Sequence, residues 1–402
     1  MKYLLTILIT IFIVLPLGTF ANGTVFGLAD KSLGIVQIPY SASGQSRSFE
    51  LADDDSLHLN YLNPAMWSRL TLTTFSVDAQ YRASFASSQY GEDPFRDYAN
   101  FQGGIVAFPI IRKRLSFGFG LQPVTSMEHA VQDTSRDEGK DFLLIKGGIS
   151  RALLNLSVNF LGHFGLGLAY EYNFGKVTDR FILEIADFTT NNITFAYEYR
   201  FFGHSAAASA YMQFFDNAFT LGALYRTPVL LKAEVVGKSI STVINQGKMV
   251  DLTLPAQYNA GVKIRFSDRF SLGGDVIYQD WEKGFTIEDV PNQGFHKKYL
   301  RIGGGLEYTA SRKRFTDYIN QMDWRLGGFY AQQNQTSNGA IINEYGISAG
   351  LSLPLQRFRS RIDLSAIVGK RGDLSKTFYE ETFFMFGISV VGNELWFINI
   401  EE

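Results

Sequence analysis

Residues that could carry catalysis are scarce and poorly spaced. The five histidines, His58, His129, His163, His204 and His296, are scattered and never reach the spacing of a metal-binding pair on one helix face. The one Gly-x-Ser-x-Gly match, Gly346-Ile347-Ser348-Ala349-Gly350, lies inside a stretch of strand alternation and not at a strand-to-helix turn, so it forms no nucleophile elbow. His204-Ser205 is adjacent in sequence, but adjacency alone does not aim a base at a nucleophile. Asp53-Asp54-Asp55 lacks the spaced ligand loop of a calcium hand and reads as a solvated acidic turn. The chain is therefore read as no enzyme, with no metal and no cofactor. One stretch stands apart, NYLNPAMWSRL at 60–70. Pro64 cannot donate to a sheet ladder, so Asn63-Pro64-Ala65 is either a turn that starts a domain or a plug at the mouth of something.

The ends and the composition narrow the class. Lys2, the apolar run Leu4–Leu17 and Thr19-Phe20-Ala21 form the pattern of a secretory signal peptide cut after Ala21. No later stretch reaches the roughly 18–20 apolar residues of a membrane helix. Cysteine is absent, so an exported chain must be held together without disulfides. A formal charge of −2 argues against a nucleic-acid partner. With 38 glycines, 35 phenylalanines and 20 tyrosines against 10 prolines, the chain suits many β-strands with aromatic girdles.

Period-2 alternation runs through the chain. In AQYNAGVKIRF, Tyr258, Ala260, Val262, Ile264 and Phe266 share one face, and Asn259, Gly261, Lys263 and Arg265 the other. FGLGLAYEYNF at 164–174 and RFSLGGDVIYQDW at 269–281 behave alike. The second face is small and sparsely charged, as inside a barrel, whereas a soluble sandwich turns Lys and Glu freely to water. Fourteen strands are expected near 70–85, 100–111, 114–124, 141–151, 164–176, 206–215, 218–236, 256–266, 270–282, 297–309, 324–334, 343–353, 358–369 and 382–391. Segment 188–201 has strand character that would raise the count to sixteen; it is assigned to an external loop, as is 237–255. Short turns alternate with long connections, although 152–163 and 310–323 are longer than the short side should have. That asymmetry marks a transmembrane β-barrel of the outer membrane of a Gram-negative bacterium. An even count puts both chain ends on the periplasmic side.

Closure follows from solvent physics, because lipid offers no hydrogen bonds and a closed sheet has no edge. A fourteen-stranded barrel is too wide for side chains alone to fill. The fold class is thus all-β: a barrel of about fourteen antiparallel strands at 70–402, ending in a short periplasmic tail, with residues 22–69 as an N-terminal hatch that plugs the lumen.

Three stretches carry a family resemblance: Leu62-Asn63-Pro64-Ala65, FTLGALYRTPVLLKAEV at 219–235, and LTLPAQYNAGVKIRFSDRFSLGGDVIYQDWE at 252–282. Together they resemble the FadL/TodX family of outer-membrane transporters for long-chain fatty acids and other hydrophobic compounds. The order of signal, hatch and strands extends the resemblance over nearly all of the mature chain. One departure concerns the C-terminus: the chain ends NELWFINIEE, with Trp396-Phe397 set inside the end instead of a terminal Phe. The final strand is expected to stop near Val391.

The resemblance implies passive uptake: capture from outside, an apolar site in the barrel, and release past a hatch through a gap at a kink in the third strand. Asn63, Pro64 and Ala65 would then lie against that gap as hatch and gate, or else only orient the turn into strand one. Gly118 and Gly120 in RLSFGFGLQPV, followed by Pro123, are the kink candidates, or make room on the lumen face. Lys263, Arg265 and Arg301 are candidates for an anionic head group, as is the run Arg357, Arg359 and Arg361; the alternative is salt bridging with Asp275, Glu307 or Asp363. The expected partners are a hydrophobic small-molecule ligand and outer-membrane lipid, and the expected state is a monomer. Fatty acid, aromatic hydrocarbon and quinone-like lipid would all suit a phenylalanine-rich lumen. Two rivals stay open: a scaffold or shuttle of the same fold in protein secretion, and a general aqueous porin.

Overall fold

A computed structural model describes residues 33–394 apart from 90, 93–94, 134–140, 161, 184–192, 240–241, 288–289, 292–295, 311–316 and 356–359. The signal segment and Trp396-Phe397 lie outside the described residues. Fourteen wall strands follow one another: β1 (Thr73–Ser88), β2 (Arg96–Ile111), β3 (Leu115–Asp133), β4 (Asp141–Phe160), β5 (Phe164–Leu183), β6 (Ile193–Phe214), β7 (Phe219–Arg226 resuming as Val229–Ser239), β8 (Thr242–Leu254 resuming as Gln257–Arg265), β9 (Phe270–Asp280), β10 (Lys298–Tyr308), β11 (Asp323–Ser337), β12 (Ala340–Leu355), β13 (Ser360–Gly372) and β14 (Tyr379–Glu394). Each pairs antiparallel with its neighbours. β14 closes the ring on β1 from Thr73↔Glu394 to Ser88↔Tyr379. The last strand therefore runs past Val391.

Alternation places the side chains. Outward rows carry Leu166, Leu168, Tyr170, Phe384 and Phe386, all exposed. Inward rows carry Asp78, Arg151, Glu171, Lys263 and Arg325, all buried. Phenylalanines flank the short turns across the ladder: Phe160 and Phe164 at 6.0 Å, Phe214 and Phe219 at 6.1 Å, Phe266 and Phe270 at 6.1 Å between ring centres. Such an aromatic rim marks one boundary of an apolar belt.

Three expectations about strand ends are corrected. Residues 193–201 belong to β6, which runs 22 residues, and most of 237–255 belongs to β7 and β8. Likewise β4 continues to Phe160, so the connection expected at 152–163 is a tight turn. About 9–11 residues suffice to cross a bilayer, so these strands stand well above the belt. There the outward face no longer has to be apolar, and the alternation that signals a strand fades.

The lumen is filled from the N-terminal side. Leu33 to Leu70 runs inside the ring, buried over most of its length. Its helix α1 (Ala42–Arg47) packs on β10–β14, and its 3-10 turn Pro64–Arg69 packs on β2–β6, so the segment spans the bore. Ser41 caps α1, its hydroxyl accepting from Gly44 N at 3.1 Å.

Candidate functional site

Acidic residues of the segment meet cations of the wall. Arg47 holds Asp53 at 2.6 Å and Glu307 at 2.8 Å. Lys263 reaches Asp53 at 2.8 Å, Asp54 at 3.2 Å and Glu307 at 3.3 Å. Arg265 takes Asp54 at 3.0 Å, and Arg361 takes Asp55 at 2.6 Å and Asp363 at 3.1 Å. Asp53-Asp54-Asp55 is thus not a solvated turn: each carboxylate is bound to a different set of wall cations, and Asp53 is 2% exposed. Burial alone would raise the Asp53 pKa, but Arg47 and Lys263 hold it far below the ordinary carboxylate range. Glu50 lies beside this core without such a cation contact. Burial pushes its carboxyl up to about 8, against the hydrogen bonds it accepts from Ser41 and Tyr61. His58 is depressed to about 4, chiefly by burial and then by Arg361, and stays neutral near pH 7.

The Asn63-Pro64-Ala65 triplet is fastened to the wall by specific bonds. Asn63 Nδ2 donates to Leu51 O and to Ala210 O on β6, both at 3.0 Å. Its Oδ1 accepts from Ala65 N, which also donates to Ser209 Oγ at 2.9 Å. Asn155 on β4 donates to Pro64 O at 3.3 Å, and a Cβ at Gly167 on β5 would press on Ala65. The triplet therefore sits on β4–β6. It does not lie against an opening at the third strand; the neighbour of Gly118 is Trp67, which a Cβ there would meet at 2.8 Å. Asn63→Leu removes a cap and two donors, at about 1–3 kcal/mol. Limited proteolysis should then cut the segment faster, while any lateral traffic through the wall stays unchanged; an unchanged cleavage rate would remove the anchoring role.

An opening in the wall does exist, next to this region. β2 and β3 pair only from Gly104↔Leu121 to Ile111↔Leu115. Beyond that point β2 stays with β1 as far as Arg96, and β3 stays with β4 as far as Asp133. The two edges part into a wedge. Gly118 and Gly120 are not at the break, since both are regularly paired with β2 below it. The break begins at Pro123, which lacks an N–H, and the register against β4 slips between Pro123 and Thr125. On the facing strand Gly147 and Gly148 adopt φ of 135° and 155°, where a Cβ at Gly148 would collide with Thr125 O. On β2, Gly103 has φ 148°. Ile35 and Val36 fill part of the wedge by pairing with Ser126 and Thr125, and Gln37 N donates to Val124 O at 2.9 Å.

Two cavities meet at this seam. One of about 200 Å³ lies in the wedge, lined by Gln37, Asn100, Gln102, Thr125, Ser126 and Ser150 among others. The second, about 100 Å³, lies in the lumen, shares Gln37, Asn100 and Gln102, and reaches Arg82, Arg301 and Glu344. The wedge lining is largely polar, and the lumen lining mixes polar groups with Ile38, Phe329, Ile367 and Met385. The expected phenylalanine-rich lumen is corrected: among the described residues only Phe49, Phe201, Phe285, Phe329 and Phe383 are buried, while many more face outward. The inner apolar surface on β3–β9, including Ile149, Leu224, Leu231 and Ile277, is covered by the chain's own Leu33, Val36 and Leu51.

Of the three head-group candidates, Lys263 and Arg265 are engaged by the acidic residues above. Arg301 is placed differently. It is stacked between the rings of Tyr40 at 4.5 Å and Phe329 at 4.6 Å, donates to Tyr40 Oη at 2.7 Å, and makes no ion pair among the described residues. Arg361 is ion-paired, and Arg357 and Arg359 lie outside the described residues. Sequence reasoning missed the Arg47 anchor, the Ile35–Val36 pairing and the polar seam. Of these only Pro123 left a signal in the sequence. Among the described residues no group of three metal-ligating side chains occurs, and no helix is long and apolar enough to cross a membrane.

Comparison with known proteins follows the same lines. The model of a family described as BamG matches residues 33–401. No curated protein matches the sequence. Among solved structures, a FadL homologue of Pseudomonas aeruginosa is similar over 90% of this chain and 99% of its own, with a TM-score of 0.64 at 13% identity. The toluene transporter TodX of P. putida is similar over 89% of this chain and 99% of its own, with a TM-score of 0.58 at 13% identity. A TodX deltaS2S3 mutant, described as a monoaromatic hydrocarbon channel, covers 88% and 99% with a TM-score of 0.59 at 15% identity. At these identities the likeness is one of fold, that of a closed fourteen-stranded barrel.

Proposed function

The chain belongs to the BamG family; from the barrel's geometry and its likeness in fold to the FadL homologue and TodX we propose that it moves hydrophobic molecules, long-chain fatty acids or hydrocarbons, passively across the outer membrane. Residues 22–69 act as the hatch, the lumen cavity receives the molecule, and the β2–β3 seam releases it sideways into the bilayer. The protein works as a monomer without cofactor or catalysis, and reaches the outer membrane after cleavage behind Ala21. The wedge between Gly104 and Arg96 on β2 and between Leu121 and Asp133 on β3 carries this reading. A membrane barrel leaves backbone groups unpaired at a seam only at a cost of several kcal/mol per group, unless polar side chains or a passing ligand meet them. The polar lining favours amphipathic molecules over pure hydrocarbons. Arg301 is the residue we assign to an anionic head group, as a wall cation that lines the lumen cavity and makes no ion pair among the described residues.

The test closes the seam. Cysteines at Asn100 and Thr125, joined by a short bis-maleimide, tie β2 to β3 in a chain that has no cysteine of its own. In proteoliposomes, uptake of a fluorescent fatty acid should fall at least about tenfold on crosslinking, the drop that a 1.4 kcal/mol barrier already produces. Uptake that survives complete crosslinking rules out lateral release.

A second reading is favoured by one observation: the lumen segment is held by a dense ionic core and leaves a described lumen cavity of only about 100 Å³. On that reading the barrel is a membrane scaffold that binds no ligand, and lipid extraction after gentle purification returns none. A general aqueous porin is disfavoured by the filled bore, and a liposome-swelling assay with small sugars should give no leak.

A further inference from the structure

The outer wall carries a groove that begins at the seam. Two cross-strand rows of outward residues define it. The first runs Ala349↔Ala366, Ala366↔Phe386, Phe386↔Tyr81 and Tyr81↔Ala99 across β12, β13, β14, β1 and β2. The second starts at Trp324↔Leu351 and ends at Ala79↔Phe101. Alanines at 79, 99, 349 and 366 keep the floor low, Trp324 closes the second row at β11, and Phe386 and Tyr81 stand side by side in the middle of the first row. The groove is open on its outer side and holds about 530 Å³, within the ~300–1,000 Å³ of small-molecule sites. Its side-chain lining is apolar apart from inward-facing residues that contribute at the floor.

Position gives the groove its meaning. Ala99 is its last residue on β2, and the next two residues, Asn100 and Phe101, line the seam cavity. Phe101 is 51% exposed and closes the second row of the groove by facing Ala79. The polar seam and the apolar groove therefore adjoin at the edge of β2, where Ala99 lines one and Asn100 the other. We propose that the groove holds the alkyl tail of a single-chain amphiphile whose polar end sits in the seam. The groove runs across the strands, so the tail lies along the wall, inclined to the bilayer plane by the strand tilt of roughly 35–45°. This inference rests on lateral release for its supply of ligand. The site itself is read independently, from bilayer-dissolved probe.

The experiment uses the full-length protein in proteoliposomes and a fatty acid with a diazirine at its tail end. After illumination, peptide mass spectrometry maps the adducts. With the probe dissolved in the bilayer, adducts should concentrate at Ala79–Tyr81 and Ala349–Leu351 relative to the outward face of β5 around Leu168. Ala366→Trp, which fills the floor, should lower those adducts about fivefold, a loss of roughly 1 kcal/mol, and leave β5 labelling as it was. Labelling of the groove at the β5 level, or indifference to Ala366→Trp, overturns the site. With the probe offered from outside, the seam-crosslinked protein should lose groove adducts while the bilayer-dissolved probe still labels. Equal labelling by both routes overturns the connection between seam and groove. Failure of lateral release is reported separately, by fluorescent uptake that persists after crosslinking.

Discussion

Lys263→Met is expected to loosen the lumen segment by about 3–5 kcal/mol, the usual penalty for breaking a buried ion pair on one side. Lys263 is shared by Asp53, Asp54 and Glu307, and its removal leaves three buried carboxylates with Arg47, Arg265 and Arg325 as their cations. In planar bilayers the wild-type barrel should be nearly silent, and the variant should show long-lived ion currents as the segment leaves its seat. Lys263→Arg keeps the charge and should keep most of the closure. Silence of the methionine variant would mean that packing, rather than charge, holds the segment. The pH dependence has a definite sign. Asp53 has a folded pKa far below its unfolded value of about 4, so its contribution is fully present above that value and is lost only as the pH falls through the much lower folded pKa. The wild-type barrel should therefore stay closed at mild acidity.

Gly327→Ala is the second large effect. A Cβ at Gly327 would collide with the backbone of Arg47, and one at Gly305 with Arg47 O. At Gly303 it would collide with Ser48 O. The end of α1 thus rests directly on a glycine floor made by β10 and β11. A single methyl there overpacks the contact, at about 1–3 kcal/mol or more because the neighbour is backbone and cannot turn aside. Gly328 lies on the opposite face of the same strand, with its nearest neighbour, Gly346 O, at 3.4 Å. Gly328→Ala should leave the melting temperature and the conductance close to wild type, while Gly327→Ala lowers the first and raises the second. Equal behaviour of the two variants would mean that α1 does not rest on this floor.

The barrel was legible in the sequence wherever one face of a strand had to meet lipid. Tyr258, Ala260 and Ile264 face outward and Asn259 and Lys263 inward, as alternation requires. Residues 193–201 and 237–255 were not legible as wall, because above the belt the outward face need not be apolar while the inner face carries buried apolar side chains such as Phe201 and Leu252, the reverse of the pattern within the belt. The acidic triplet was misread for a different reason. Asp55 and Arg361 are 306 residues apart and Lys263 and Asp53 are 210 apart, so no local spacing announces the pairs. The third-strand break was partly legible. Pro123 lies at it, but Gly118 and Gly120 drew attention to a stretch that is regularly paired, because glycine serves close approach to Trp67 as readily as it serves a bend. The triplet Asn63-Pro64-Ala65 was visible as unusual chemistry, but nothing in it shows which strands it touches.

The lumen segment also constrains how the molecule can be assembled. Ala42 N donates both to Asp78, 36 residues on, and to Ser389, 347 residues on, and Asp78 and Ser389 bond each other across the β1–β14 closure. This N-terminal segment thus finds its final partners only when the last strand arrives. Contacts of such long sequence separation slow folding, because chain entropy is lost before they repay it. Threading the segment through a finished ring would need the ring to open again. The simpler order is that the wall strands curl around the segment and the β14–β1 zipper shuts last, so the segment serves as the core around which the cylinder is gauged.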